Sequence, residues 1–126
     1  MRILLDSHVV LWWLEDNALL GPKSREMITS ADEAFVSAVT PWELGIKRAL
    51  GKLSMPDGLV ELLEADGFTL LSVTATHAAT APRLGPIHRD PFDRMLIAQA
   101  QLETLTLVTA DSALADYDVD QFSARS

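Results

Sequence analysis

Four acids in this 126-residue chain stand where carboxylates can do chemistry. Asp6 closes the apolar run Arg2-Ile3-Leu4-Leu5, and Asp111 closes another, Thr106-Leu107-Val108-Thr109-Ala110. A short apolar run that ends in a carboxylate and gives way to a helix-like pattern reads as a buried strand delivering its C-terminal end to a site. Glu43 and Asp93 fall near the starts of predicted helices in the middle of the chain. If the strands lie side by side, these carboxylates converge. Gathered carboxylates cannot all stay ionised without a cation, so convergence implies a hard divalent metal, Mg²⁺ or Mn²⁺, on oxygen ligands. Such a site suits phosphodiester hydrolysis.

Each acid also has a structural explanation. In Thr40-Pro41-Trp42-Glu43, Thr40 fits an N-cap, Pro41 the first helical position and Glu43 the third, which makes Glu43 half of a capping box. Asp90-Pro91-Phe92-Asp93 repeats the pattern, with Asp90 as N-cap and Asp93 in the first turn, where the helix dipole favours negative charge. Asp111 can cap a segment starting at Ser112, and Asp6 the helix that follows it. Capping alone does not ask for acids at two strand ends that must also be mostly buried, because a buried carboxylate without partners is costly. Nearby hydroxyls on Ser7, Thr40, Thr109 and Ser112 can orient carboxylates or hold water on a metal. The two roles are compatible, since a helix N-terminus is itself an anion site.

The elements that must position these residues alternate. Strand-like runs at 2–5, 34–37, 69–73 and 106–108 are separated by segments of helical character, which predicts an α/β domain with a parallel sheet. His8 to Glu15 is apolar on nearly every side, so part of it must be covered, by a neighbouring helix or, through Trp12 and Trp13, by a protein partner. Gly21-Pro22 opens a helix to about Ser30, and Gly51 ends the one beginning near Thr40. Pro56 starts another, stopped by Gly67; Thr74 to Ala81 forms a short one closed by Pro82; Leu84 to Arg89 reads as a loop; and Asp90-Pro91 begins the strongest, Pro91 to Leu102.

Size and composition bound the rest. With 48% hydrophobic residues, residues 1–126 form one domain able to bury roughly two-thirds of its unfolded surface. There are no cysteines, which excludes thiolate chemistry and disulfides and fits a reducing, cytoplasmic setting. No stretch is long enough to span a membrane, and the N-terminus lacks a signal-peptide core. A net charge of −8 argues against bulk-charge binding of nucleic acid. The bases group as Lys47, Arg48 and Lys52, and as Arg83, His88, Arg89 and Arg94; each group reads equally as a phosphate contact or a solvated face. His8, His77 and His88 share no zinc-like spacing, and there is no Gly-rich phosphate loop or nucleophile elbow.

The segments Leu4-Leu5-Asp6-Ser7-His8-Val9-Val10-Leu11-Trp12-Trp13-Leu14, Val36-Ser37 through Thr40-Pro41-Trp42-Glu43-Leu44-Gly45-Ile46-Lys47, His88-Arg89-Asp90-Pro91-Phe92-Asp93-Arg94-Met95-Leu96-Ile97-Ala98-Gln99-Ala100 and Leu107-Val108-Thr109-Ala110-Asp111 resemble, in order, the signature blocks of PIN-domain ribonucleases of the VapC toxin type. The third block is the most specific. The resemblance implies a three-layer α/β/α fold around a mainly parallel sheet, Mg²⁺- or Mn²⁺-dependent cleavage of RNA, a homodimer, and a separate cognate antitoxin. It maps the catalytic acids onto Asp6, Glu43, Asp93 and Asp111, and metal ligation onto Asp6, Asp93 and Asp111 with Asp90 alongside. Ser7 and Thr40 stand where members more often carry Thr and Ser, so both keep a hydroxyl. Arg94 or Lys47 would hold the substrate phosphate.

Two rival classes remain at this stage. A phospho-receiver domain is also an α/β module of this length, but it needs adjacent acids after the first strand and a Lys after the last, against Asp6-Ser7-His8 and no Lys beyond Lys52. A non-catalytic binding module would use the Trp12-Trp13 helix. A phosphatase with a D-x-D pair is disfavoured by His8.

Overall fold

The computed structural model describes residues 1–85 and 90–126. Five strands, β1 (Arg2–Leu5), β2 (Glu33–Ser37), β3 (Thr69–Leu71), β4 (Thr106–Thr109) and β5 (Gln121–Ser123), form one parallel sheet in the order β3-β2-β1-β4-β5. Six α-helices lie among the described residues: α1 (Ser7–Leu14), α2 (Pro22–Ser30), α3 (Val39–Ala49), α4 (Leu59–Ala65), α5 (Ala75–Thr80) and α6 (Pro91–Glu103).

The strands read as unbroken apolar runs because both faces of a parallel sheet are covered. Their side chains alternate between two cores. Ile3, Leu5, Val36 and Val108 pack with Val9 and Val10 of α1, Ile28 of α2 and Leu63 of α4. Leu4, Phe35 and Leu107 pack on the other side with Leu96, Ile97 and Ala100 of α6. The result is the expected three-layer α/β/α arrangement. In register, Leu4 faces Phe35 on β2 and Leu107 on β4, so a one-residue slip would exchange the two cores' side chains wholesale.

Because all strands run the same way, the residues just after β1, β2 and β4 emerge along one edge. The chain runs outward from β1 to β2 and β3, then returns to β4 on β1's other side, which opens a crevice between β1 and β4 at the C-terminal edge. This order differs from the 2-1-3-4-5 order of receiver domains, so the phospho-receiver alternative does not fit the topology.

Several boundaries differ from the sequence reading, for identifiable reasons. Residues 72–73 leave the sheet, because β3 pairs only as far as Ser37 opposite Leu71 and Val73 is exposed. α4 begins at Leu59 rather than Pro56, since Gly58 adopts φ +69 and closes a turn first. β5 was not foreseen: three half-polar residues after an Asp-rich stretch carry no periodic signal. It forms because edge groups of β4 find partners there, Leu107 N–H on the Asp120 carbonyl at 2.8 Å and the Thr109 carbonyl on Ala124 N–H at 2.9 Å. Of the loop expected at Leu84 to Arg89, the part from Pro86 onward, including His88 and Arg89, lies outside the described residues.

Candidate active site

Asp6 leaves β1 in extended geometry and caps α1, so its carboxylate is fixed from both sides. The Ser7 backbone N–H donates to Oδ1 at 2.7 Å, and the Thr109 hydroxyl at the end of β4 donates to Oδ2 at 2.7 Å. The Asp6 N–H also reaches the Val108 carbonyl at 3.0 Å, so the acid is locked at the β1–β4 crevice. Only 5% of Asp6 is exposed. Burial lifts its pKa above the ordinary carboxylate value, outweighing the hydrogen bonds from Thr109 and Ser7 that pull it down; the charge of Glu43 adds to the rise and that of His8 opposes it. Capping and burial therefore coincide at Asp6, as the sequence allowed.

At Glu43 the capping explanation fails. The N-cap of α3 is Ala38, not Thr40, because the Ser37 hydroxyl at the end of β2 accepts from the Val39 N–H at 3.2 Å and starts the helix early. Thr40 and Pro41 thus lie inside the first turn, and Glu43 sits beyond it with no free backbone donor to cap. Its side chain points into the protein instead. The Ser7 hydroxyl donates to Oε1 at 2.6 Å and the Lys47 ammonium to Oε2 at 2.9 Å, and Ser7 lies 3.3 Å from the Thr40 hydroxyl. Ser7 thereby joins the two buried acids, its N–H on Asp6 and its O–H on Glu43. Partial burial works against the charge of Lys47, but the bond to Glu43 and the attraction of Glu43, Asp90 and Asp93 prevail and raise its pKa.

The remaining acids reach the same edge by helix capping. Asp90 caps α6 as expected, its Oδ1 accepting from Phe92 N–H at 2.8 Å and Asp93 N–H at 3.2 Å. Asp93 is half-buried in the first turn, and the edge contact of the neighbouring Phe92 ring with Trp42 of α3, centroids 5.0 Å apart, sets the start of α6 beside the helix that carries Glu43. Asp111, expected to be mostly buried at a strand end, is instead exposed, because β4 ends at Thr109 two residues before it; it caps the short 3₁₀ turn Ser112–Leu114 and donates its own N–H to Thr109 Oγ1 at 3.0 Å. Asp6 and Asp111 line one cleft of about 320 Å³ with His8, Trp12, Ala110 and Arg125.

Carboxylate oxygens are the donors a hard divalent cation selects. Asp6 fits that role: each oxygen keeps a lone pair after its one hydrogen bond, and its buried charge makes no ion pair. Among the described residues no three acid or histidine side chains are already drawn together into a cage, so the donors are suited to a cation by type and edge rather than by a closed ligand shell.

The bases divide differently from the sequence reading. Arg94 is engaged within the chain: its guanidinium donates to the carbonyls of Ala81, Leu84 and Gly85 and holds that turn to α6. Lys47 serves Glu43, and Arg48 pairs with Asp57 at 2.7 Å. His77 is a structural histidine, its Nδ1 accepting from Thr74 N–H and its Nε2 2.8 Å from Glu103. Arg125 had no sequence signal, since β5, the strand that carries it to Asp111, was not legible.

A PIN-domain family model matches residues 3–120. The chain belongs to the PIN-domain family. Within this family, Ribonuclease VapC22 of Mycobacterium tuberculosis is 35% identical over 122 residues, covering 91% of each protein. Among solved structures, FitAcB from Neisseria gonorrhoeae matches with a TM-score of 0.66 and 21% identity over 97% of both chains. VapBC2 from Rickettsia felis, bound to a DNA fragment from its promoter, matches at 0.71 and 13% identity over 97% of this chain and 98% of that one. At these identities the structures speak for the PIN fold alone. The resemblance to PIN-domain ribonucleases read from the sequence therefore holds.

Proposed function

We propose that this protein is a metal-dependent endoribonuclease that hydrolyses RNA phosphodiester bonds at its acidic edge. It acts as the toxin of a type II toxin-antitoxin pair, restrained by a cognate antitoxin. The reading is supported by the 35% identity to a protein named as a ribonuclease and by likeness to a structure titled as a toxin-antitoxin complex. The observation that carries it is the buried Asp6–Ser7–Glu43 linkage: two carboxylates kept at one strand edge by a shared serine, without the capping role that would otherwise explain Glu43.

Asp6, Asp93 and Asp111 would hold Mg²⁺ or Mn²⁺, with Asp90 alongside. When bound, such an ion supplies Lewis acidity, making water a stronger nucleophile near neutral pH and offsetting charge gathered on the phosphate. The chain's own groups do the rest. Ser7 N–H and the Thr109 hydroxyl hold both Asp6 oxygens in one orientation. The Ser7 hydroxyl and Lys47 fix Glu43 so that it can orient the attacking water and take its proton. The Lys47 ammonium also keeps three neighbouring acids from repelling the RNA with their full charge. The protein works as a homodimer in the cytoplasm; no helix among the described residues is long and apolar enough to cross a membrane.

Incubating labelled total RNA with the protein in Mg²⁺ or Mn²⁺ gives discrete cuts that vanish in EDTA and in Asp93→Ala. Uncut RNA from a metal-loaded wild type, or equal cutting by both proteins, would sink the reading. Thr109→Val removes the donor to Asp6 Oδ2 while keeping the side chain's shape, so Mn²⁺ affinity and kcat should each fall roughly 10- to 100-fold, as for other groups that orient a metal ligand. A manganese titration and single-turnover cleavage check this, and an unchanged affinity would show that the hydroxyl does not orient the ligand.

A further inference from the structure

The acids account for only part of the cleft beside Asp6. His8 and Trp12 stand four residues apart on α1 and so share a helix face, and Arg125 follows β5. Among the described residues, Arg2, Arg25, Lys47 and Arg48 are held in ion pairs and Arg94 on backbone carbonyls. Arg125 is exposed, and neither its guanidinium nor the indole N–H of Trp12 has a hydrogen-bond or ion-pair partner. Trp12 is half-buried: part of its ring packs on the α1 core while the remainder lines the cleft. At about 320 Å³ the cleft lies at the small end of ligand sites, which run from ~300 Å³ upward, and so suits one nucleotide rather than a duplex.

We propose that this cleft is the subsite for one unpaired nucleotide of the RNA adjoining the cleaved phosphate, with Trp12 stacked on its base and Arg125 on the flanking phosphate. The inference rests on the ribonuclease reading and adds to it the residues, Trp12 and Arg125, that hold the nucleotide beside the cut. A chain of net charge −8 that presents carboxylates to its substrate needs a local cation to receive the next phosphate, and among the described residues Arg125 is the unengaged one lining this cleft. An aromatic ring beside a phosphate-binding cation is how proteins hold single strands, because every base offers a π-face. In a duplex that face is stacked away. The exposed imidazole of His8, on the same face as Trp12, adds a second donor near the backbone.

The test is fluorescence anisotropy of a labelled eight-nucleotide uridine RNA with the full chain carrying Asp93→Ala, so that the RNA stays uncut, in Mg²⁺. Adding Arg125→Gln should weaken binding roughly 10-fold, as should Trp12→Leu, while Trp12→Phe should stay within about 3-fold. An abasic substitution at one position should cost the parent protein the same roughly 10-fold and cost the Trp12→Leu protein nothing further, since the stacking partner is already gone. A merely structural Trp12 would not give that non-additivity. Arg125→Gln changes an exposed side chain and remains decisive if Trp12→Leu fails to fold. If wild type cuts RNA and the parent binds it, but Arg125→Gln binds equally well, the subsite is wrong and the nuclease stands. If the parent binds no RNA and metal-loaded wild type cuts none, both fall.

Discussion

Asp6→Asn should abolish RNA cleavage, lowering kcat by roughly 10³-fold or more with saturating Mg²⁺, while leaving the protein at least as stable as wild type at neutral pH. The first half follows from replacing the most constrained candidate ligand with a neutral amide, which forfeits the several kcal/mol of charge stabilisation that a metal site contributes. The second half follows from geometry and burial. Asparagine keeps an oxygen for the Ser7 N–H, and the Thr109 hydroxyl can turn to accept from the new amide. No buried charge remains.

The pH dependence of stability makes the claim sharper. Burial raises the pKa of Asp6 above the ordinary carboxylate value of 3.8, so the folded state binds that proton more tightly than the unfolded chain. The ionised carboxylate then costs stability at every pH above the raised value, and the cost fades as the pH falls through it towards 3.8. Thermal melts in EDTA should show Asp6→Asn ahead of wild type at pH 7, with the gap closing on acidification. Adding Mn²⁺ should raise the melting temperature of wild type and leave that of Asp6→Asn nearly unmoved. A variant less stable than wild type at pH 7, with the gap widening at neutral pH, would mean that Asp6 is a structural cap and not a strained ligand.

The sequence was legible where one residue's chemistry decides its place. The strand ends at Asp6 and Asp111, the Asp90 cap and the apolar face of α6 rest on local rules, namely a buried run, a short side-chain acceptor before a Pro and a helical period. It was misleading at Glu43, because Thr-Pro-x-Glu is a sound capping signal that loses here to tertiary structure: β2 ends at Ser37, as expected, but the Ser37 hydroxyl takes the Val39 N–H and begins α3 before Thr40 can cap it. It was silent about β5 and therefore about Arg125. A three-residue edge strand draws its stability from partners more than a dozen residues away, and nothing in Gln121-Phe122-Ser123 announces them. The Ser7–Glu43 bond spans 36 residues and likewise exists only once β1 and β2 are adjacent.

Arg94→Met should lower the melting temperature by on the order of 10 °C while reducing the activity of the protein that remains folded by less than about tenfold. The guanidinium donates from Nε to the Ala81 carbonyl at 3.1 Å, from Nη1 to Gly85 at 3.0 Å and from Nη2 to Leu84 at 2.5 Å. Those carbonyls belong to a turn that continues no sheet or α-helix; among the described residues Arg94 donates to all three, and the Leu84 N–H reaches the Ala81 carbonyl at a longer 3.4 Å. Hydrogen bonds to a charged group contribute about 1.5–3 kcal/mol each when taken singly, and non-additivity within one side chain leaves roughly 3 kcal/mol for the set. Methionine retains the stem's packing and removes only the donors. Thermal melts read against single-turnover cleavage at 20 °C separate this role from the phosphate-binding one suggested by sequence, which would cut kcat/KM and spare the melting temperature. The distinction bears on the site, because Arg94 follows Asp93 directly in the first turn of α6. Fixing that turn to residues 81–85 fixes the approach of Asp90 and Asp93 to the edge where Asp6 and Glu43 are already held.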